Sequence, residues 1–462
     1  MSRTVLTPIQ KARRINLDAT KYGTIAEIGA GQEIARWFFQ AGNASGTVAK
    51  TMSAYDMAVS DAIYGPCKRY VSRERLFQML DHEYPLLVSR LSPLRGRKST
   101  FFVVADTVAT GNVRRQENGR GWIGIRFQHR PGAQPSQLLL HARLHDNEVT
   151  RQQETMGALG LNLVYGIFFH RTKPKVLIDS LRDNLSPGRL EINMVQFSGP
   201  GFEGVDNRLM SLHAVSQGFT SAALFARDGS VVQAGEVLYG RPLILLRGTF
   251  RPLTKPVLDI IEQAHGGGLF KKGSKPLTLC ELSLRDPRRT ARRHDFLPRV
   301  DMLRAVGQTV LLSRTGPYHT LPPFLRRYTQ ERIVFILGLP NLREIFDARY
   351  YADLPGGLLE GLGRLFMGDM KLAVYPAWNE KQQRYIGAGE FRPPAAHRLL
   401  FEQLLASGRI VPLKPRHSHG TAPLPHDVLK MIKTGDPGWK KLVPAPVVRL
   451  IKKHRAFGYR GK

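Results

Sequence analysis

Three glycines at the spacing G-x-G-x-x-G are the first feature of this sequence that could do chemistry. They lie in the stretch VQFSGPGFEGVDNRLMSL. Between a strand and a helix, such glycines allow a tight turn and a close approach of the backbone to a pyrophosphate, and the helix N-terminus supplies N–H donors. The flanking pattern predicts a strand, a helix and then a second strand that ends near Asp228. The predicted nucleotide or phosphate site therefore consists of Gly199, Gly201, Gly204, Asn207, Arg208 and Asp228.

The same stretch is also compatible with a purely structural turn. With 44 glycines in 462 residues, about 0.4 matches to this pattern are expected by chance. Pro200 has no N–H to donate, and Asp206 would either repel a phosphate or cap the helix. A second match, GRGWIG from Gly119 to Gly124, leads into a strand and is interpreted as turn chemistry.

Two further polar stretches are candidate binding loops. In EIGAGQEIARWFF, Gly29 and Gly31 begin the glycine pattern, but Ile34 stands where the third glycine belongs. The polar residues there either line a pocket or begin an ordinary helix; they are Gln32, Glu33 and Arg36. The stretch ADTVATGNVRRQENGRGW offers a possible phosphate-recognition loop or a solvated hairpin, with Asp106, Asn112, Arg114, Arg115 and Glu117.

The charge balance is strongly basic. Lys and Arg number 68 against 37 Asp and Glu, a formal net charge of +31. Such an excess attracts RNA and other polyanions, although a scattered, solvated surface has the same composition. The densest regions are RDPRRTARRHD and the tail from Trp439, which carries no acid. The predicted polyanion-binding residues are Arg285, Arg288, Arg289, Arg292, Arg293, Lys440, Lys441, Lys452 and Lys453.

The tail has a structural interpretation as well. The segment APVVRLIKKHRAFGY predicts a basic amphipathic helix with Val447, Leu450, Ile451 and Phe457 toward one side. Such a helix can dock through its apolar residues while its charges stay in solvent.

Several classes of function find no support. The sequence has no G-x-S-x-G elbow, no G-x-x-x-x-G-K-[ST] loop and no H-E-x-x-H motif. Cys67 and Cys280 form no C-x-x-C pair, which fits a reducing compartment. His141 and His145 share a strand face but lack a third ligand, so no metal site is predicted. No apolar run approaches the ~20 residues that span a bilayer, and we expect a cytoplasmic protein.

Periodicity predicts an α/β fold with mostly parallel, Rossmann-like sheet regions, an N-terminal helical segment and an antiparallel β insertion. Six segments are predicted along the chain. They are a mostly helical region 1–95, antiparallel strands with a helical pair 96–185, an α/β unit with the glycine turn 186–255, a basic Gly/Pro connector 256–276, a second α/β unit 277–380, and a basic C-terminal region 381–462.

Four stretches together resemble a bacterial protein family whose members are sometimes labelled nicotinate- or nicotinamide-nucleotide adenylyltransferase. They are KYGTIAEIGAGQEIARWFFQAG, TMSAYDMAVSDAIYG, FSGPGFEGVDNRLMSL and FDARYYADLPGGLLEGLGRLF. The resemblance runs nearly end to end and implies a shared fold, while the expectation of a nucleotide ligand and phosphate-linked transfer rests on the glycine turn. Such transferases carry an HxGH-type motif after the first strand, whereas His82 is the first histidine of this chain. No catalytic residue is therefore carried over.

Overall fold

Contacts divide the chain into two compact units, Met1–Thr220 and Ser221–Lys462. The computed structural model describes residues 3–111, 118–266, 268–284, 293–414 and 425–461, with the side chains of residues 293 and 294 excepted. Both units combine a sheet with helices, so the predicted α/β class is confirmed. The boundary between the units falls inside the segment 186–255, which the sequence predicted as one α/β unit.

The first unit is built on a six-stranded sheet in the order β2-β1-β3-β4-β5-β6. Strands β2, β1 and β3 run parallel, and β3 to β6 pair antiparallel. Its elements are α1 (Pro8–Asn16), β1 (Lys21–Gly29), α2 (Glu33–Gln40), β2 (Val48–Ser53), α3 (Met57–Tyr64), α4 (Arg73–Arg95), β3 (Thr100–Ala109), β4 (Gly119–Phe127), β5 (Ser136–Leu144), α5 (Val149–His170), α6 (Pro174–Ser180), β6 (Leu190–Ser198) and α7 (Asn207–Ser216).

Helices cover both faces of this sheet. Alternate strand residues such as Ile25, Val104 and Ile125 pack with α1, α2, α5 and α6 in one apolar core. The other face lies under α4, whose Leu76 approaches the sheet at Gly124. Because side chains alternate along a strand, each strand serves both layers.

The N-terminal 95 residues contain the predicted helices, α1 to α4, and also two strands that the sequence interpretation did not include. They contribute β1 and β2, which pair parallel to each other, and β1 also pairs with β3. The segment KYGTIAEIG lacks the regular alternation of a half-buried strand because both faces of β1 are covered, so six consecutive residues of it are buried.

The second unit is built on an eight-stranded sheet in the order β16-β13-β12-β9-β10-β11-β7-β8. Its elements are β7 (Ala222–Phe225), β8 (Val231–Val232), α8 (Ala234–Leu238), β9 (Leu243–Arg247), α9 (Lys255–Gly266), β10 (Leu277–Ser283), α10 (Arg293–Ala305), β11 (Thr309–Ser313), α11 (Leu321–Leu325), β12 (Ile333–Gly338), α12 (Leu339–Ile345), α13 (Gly357–Leu365), β13 (Met370–Tyr375), β14 (Ala377–Asn379), β15 (Arg384–Ile386), α14 (Arg398–Ala406), β16 (Ile410–Pro412), α15 (Pro425–Thr434), α16 (Trp439–Leu442) and α17 (Ala445–His454).

Six strands of this sheet, from β16 to β11 in space, are parallel, and β7 and β8 add an antiparallel edge. If these six strands are numbered 1 to 6 in chain order from β9, their order in space, starting at β11, is 3-2-1-4-5-6. This is the strand order of a doubly wound dinucleotide-binding sheet. One face packs on α9 around Ile244 and Ala264. The other carries a larger core that includes Phe335 and Leu362.

In the part of the chain that the structure describes, no helix is both long enough and apolar enough to cross a membrane.

Candidate functional site

Each sheet reverses its strand order at one place between parallel strands. In the first unit, β1 has β2 on one side and β3 on the other; in the second, β9 has β10 on one side and β12 on the other. In open α/β sheets, ligands bind beyond the carboxyl ends of the strands at such a switch point, because the connecting loops diverge there and leave a crevice. The carboxyl-terminal edges of the two sheets at these switch points are therefore the candidate ligand sites.

At the first switch point, two carboxyl groups lie side by side. Glu27 on β1 and Asp106 on β3 are direct partners in the parallel register. Burial raises the pKa of Glu27 to about 7, although the Ser53 hydroxyl and the Ala35 amide act to lower it. Burial, and then the charge of Glu27, raise the pKa of Asp106 well above its ordinary range. Two such groups cannot both ionise cheaply, so they hold a proton near neutral pH.

At the second switch point, the buried charges are paired. Arg247 at the end of β9 donates to both carboxylate oxygens of Glu281 on β10, at 2.8 and 2.9 Å. Glu281 also accepts hydrogen bonds from Ser313 and Thr315, at the end of β11 and just beyond it. This network ties the carboxyl ends of three strands together and leaves no charge of Glu281 uncompensated.

The turn after β9 brings further basic residues to this edge. Arg251 pairs with Asp295, which is also bound by Arg299 at 2.8 Å. Lys255 begins α9, is exposed, and has no acidic residue beside it in the first turn. The hydroxyl of Thr254, just before the helix, is buried without a hydrogen-bond partner. A positive helix terminus with an added cation attracts anions.

The glycine turn of the first unit is occupied by contacts within the protein. The N–H of Gly201 donates to Ser136 Oγ at 2.7 Å, and its carbonyl accepts from Arg171 at 3.2 Å. Gly199 has a φ of +90°, and a Cβ there would lie 2.7 Å from Ser136 Cα. Close packing on the start of β5 and a positive φ therefore account for this glycine.

The polar residues after the turn also have local partners. Asp206 caps α7 by accepting from the Arg208 N–H at 2.9 Å, and it pairs with the Arg208 guanidinium at 2.7 Å. Asn207 bonds both backbone groups of Phe197, at 2.8 and 2.9 Å. The negative charge of Asp206 lies where a phosphate would sit, so the geometry favours the structural turn; a phosphate site here stays a prediction.

The strand, helix and second strand predicted around this turn are present as β6, α7 and β7, but they do not form one unit. Strand β6 belongs to the first sheet and β7 to the second, where β7 runs antiparallel to β11. Local periodicity could predict each strand but not its sheet. Asp228 lies in the β7–β8 turn and accepts from the N–H and hydroxyl of Ser230.

Asp228 also lines a cavity of about 450 Å³ with Arg227 and Arg241. Leu277 and Thr309, the first residues of β10 and β11, complete its wall. The cavity therefore lies at the amino-terminal edge of the sheet, opposite to the edge where doubly wound sheets bind ligands.

Most of the predicted arginine cluster falls outside the described residues, in the connection between β10 and α10. This applies to Arg285, Arg288, Arg289 and Arg292, and the side chain of Arg293 is likewise not described. Asn112, Arg114, Arg115 and Glu117 of the β3–β4 connection also lie outside the described residues.

The basic tail forms α16 and α17. Val447 and Ile451 are buried, which fits the docking helix of the structural interpretation, and α17 packs against α10. Its lysines stay in solvent: Lys440, Lys441, Lys452 and Lys453 are all exposed.

The two histidines in and just after β5 have partners within the protein. His141 lies 2.6 Å from Asn193 through Nδ1, and burial lowers its pKa to about 4. His145 lies 3.8 Å from Glu191. In the described ranges, no group of three or more His, Cys, Asp or Glu side chains is placed to hold a metal ion.

Sequence reasoning missed Glu27, Arg247 and Glu281 as members of polar clusters. Asp106 was predicted as a candidate of a binding loop, whereas its side chain lies within β3 and is fully buried. The available signal was an acidic residue inside an apolar strand, as in TIAEIG and LTLCELSL. Acidic residues are rarely fully buried unless they are paired, so such a residue indicates a partner or a function. Which strands bring such acids together depends on sheet order, which the sequence pattern does not contain.

Comparison with known proteins yields partial structural likenesses. No family model and no curated protein matches the chain. Among solved structures, the competence/damage inducible protein CihA from Agrobacterium tumefaciens is similar, with 19% identity and a TM-score of 0.25. CinA superfamily proteins from Enterobacter cloacae and Klebsiella pneumoniae match with 11% and 14% identity and TM-scores of 0.24. The matches cover 35–36% of this chain and 97–99% of the other chains. At these TM-scores the likeness carries no argument about activity.

Proposed function

We propose that this protein binds a nucleotide or another phosphorylated small molecule at the carboxyl-terminal edge of the second sheet, between β9 and β12. The observation that carries the proposal is the reversal of strand order at this point in a sheet of six parallel strands. The loops after β9 and β12 diverge there, and such a crevice is where doubly wound sheets hold phosphorylated ligands.

The start of α9 supports an anionic ligand. This helix has twelve residues and begins with Lys255, without an acid in its first turn. Its free N–H groups and its dipole favour negative charge, and the lysine adds a full positive charge. In contrast, Asp206 already fills the corresponding position of α7.

The surrounding charges also favour an anion. Arg247 and Glu281 neutralise each other, whereas Arg251 is half-exposed and shares Asp295 with Arg299. Arg314, directly after β11, is exposed. The edge is therefore cationic on balance, and long-range attraction would raise the local concentration of a phosphorylated ligand. Phosphate-linked transfer, which the sequence predicted together with a nucleotide ligand, stays a prediction because no reacting group is identified.

The proposal is tested by isothermal titration calorimetry with ATP. The variant Lys255→Glu reverses the charge at the start of α9, and an acid there suits the helix dipole, so folding is preserved. We expect ATP affinity to fall at least about tenfold, which corresponds to a loss of about 1.4 kcal/mol. The matched control is Lys175→Glu, an exposed lysine in the first turn of α6. Equal affinities in both variants would contradict the proposed site.

A second candidate function is binding of RNA through the tail. Four lysines of α16 and α17 are exposed while the apolar side of α17 is buried. Lys452 and Lys453 also lie at the C-terminal end of α17, where cations stabilise the helix, so their presence has a structural reason too.

RNA binding is tested by fluorescence anisotropy of a single-stranded RNA across a salt series. If the tail neutralises phosphates, the logarithm of the binding constant falls with the logarithm of salt, with a slope of about −0.7 per phosphate contacted. The double variant Lys452→Glu and Lys453→Glu should flatten that slope. An affinity that does not depend on salt would remove this candidate.

A further inference from the structure

The carboxyl pair of the first switch point has no counterpart in the proposed function. Glu27 is 2% exposed and Asp106 is fully buried. Their side chains lie on the same face of the sheet, because the two residues are register partners on neighbouring parallel strands. Ile25 and Val104, two residues earlier on the same strands, share that face and belong to one apolar core. Carboxylates are rarely fully buried unless they are paired.

Three of the four carboxyl oxygens have no hydrogen-bond partner. Glu27 Oε2 accepts from Ser53 Oγ at 3.0 Å. The Ala35 amide is also close enough to the Glu27 carboxyl to lower its pKa, but Glu27 Oε1 and both oxygens of Asp106 have no hydrogen-bond partner. Unpartnered buried polar atoms are costly and therefore rare in folded proteins. At a switch point, a ligand that donates a hydrogen bond to Glu27 Oε1 would offset part of this cost.

The space around Asp106 argues against a hydrated divalent cation. A Cβ placed on Gly31 would lie 2.1 and 2.2 Å from its two carboxyl oxygens, so the turn after β1 packs directly on them. Mg²⁺ keeps several of its waters and holds an octahedral shell, which needs open space at the carboxylate. The side of Glu27 is different, because its hydrogen-bond partner Ser53 is exposed. The Glu27 carboxyl is thus one side chain below the surface.

The charged groups nearest to the pair do not neutralise it. Glu33 in the first turn of α2 raises the pKa of Glu27 further, and Arg36 pairs with Glu33 at 3.0 Å. Lys50 of β2 lies an odd number of residues from Ser53, so it faces the other side of the sheet, where it pairs with Glu83 of α4. In the described part of the chain, neither Glu27 nor Asp106 takes part in an ion pair.

We propose that Glu27 and Asp106 form a second binding site, which takes a small organic cation such as a primary ammonium group. The cation donates to Glu27 Oε1, while Asp106 lies behind Glu27 under the turn of Gly31. A neutral hydroxyl would satisfy a hydrogen bond but leave the ionised carboxylate uncompensated, whereas an ammonium group supplies both donors and charge. The inference is independent of the proposed nucleotide site.

The test uses the full-length protein with ¹³C-labelled glutamate carboxyl groups and follows their pH titration by NMR. Glu27 is assigned by the signal lost in Glu27→Gln, an isosteric change that removes a buried charge. We expect Glu27 to titrate near pH 7. Propylammonium should lower that midpoint by about one pH unit, a tenfold change in proton affinity. The neutral isostere 1-propanol should leave it in place.

The variant Glu33→Gln serves as the matched control. It removes the neighbouring charge that raises the pKa of Glu27, so the midpoint should fall while the response to propylammonium persists. An ordinary midpoint for Glu27 in the free protein would overturn the buried-pair assignment. An unchanged midpoint with propylammonium, or an equal effect of 1-propanol, would overturn the cationic ligand.

Discussion

The two switch points of this molecule use buried charge in opposite ways. At the end of β9, Arg247 and Glu281 form a bidentate ion pair, and hydroxyl groups complete the hydrogen bonds of the carboxylate. At the end of β1, Glu27 and Asp106 lie together with three oxygens unpartnered. The first arrangement supports the strands that frame a cationic crevice. The second leaves buried acceptors without donors, which is costly, and this cost is the reason why a ligand is proposed there.

The difference shows how to separate structural from functional polar clusters. Both clusters lie at carboxyl ends of parallel strands, so position does not distinguish them. The two clusters differ in how many of their polar atoms have hydrogen-bond partners. A network in which every polar atom is bonded lowers the free-energy cost of burial, and one with unbonded atoms raises it. Three variants test whether the two clusters differ in this way.

Removal of Arg247 should have the largest effect. Arg247→Ala leaves the fully buried Glu281 without its countercharge, which costs about 3–5 kcal/mol in the free energy of unfolding. The double variant Arg247→Met with Glu281→Leu should recover most of that loss, because both charges are gone. Native-state hydrogen exchange of the β10 amides measures the loss of stability in the single variant and its recovery in the double variant. A single variant as stable as the wild type would show that the pair does not support this edge.

The second prediction concerns pH. Because the folded pKa of Glu27, about 7, lies above the ordinary 4.5, the folded state holds the proton more tightly. The associated stability is fully present below the ordinary pKa and is lost as pH rises through 7. The shift corresponds to about 3 kcal/mol. Glu27→Gln should remove this loss, so its urea midpoint should change less between about pH 5 and about pH 8. Parallel profiles for variant and wild type would contradict the buried-pair description.

The smallest effect is expected at the glycine turn. Ser136→Ala removes the acceptor of the Gly201 N–H, which costs about 1 kcal/mol. ATP affinity should stay unchanged, because the turn is held by protein contacts alone. Isothermal titration calorimetry compares the ATP affinity of this variant with that of the wild type. A clear loss of affinity in the variant would indicate that the glycine turn is the ligand site.

The sequence predicted architecture better than it predicted sites. The α/β class follows from local periodicity, which a single segment contains. The acceptor of the Gly201 N–H is Ser136, on a different strand, and the partner of Glu27 is Asp106, on another. Such pairs depend on strand order, and no spacing rule along the chain reveals them. The unit predicted around the glycine turn shows the same limit, because β6 and β7 follow each other in sequence yet join different sheets.

The central claim, that a phosphorylated ligand binds at the switch point of the second sheet, is tested most directly by locating bound ATP. Hydrogen–deuterium exchange with mass spectrometry compares every peptide of the intact protein with and without ATP. The account predicts slower exchange in peptides covering residues 248–258, after β9 and at the start of α9, and no change in residues 199–208. Protection of the glycine turn with no change at 248–258 would contradict it.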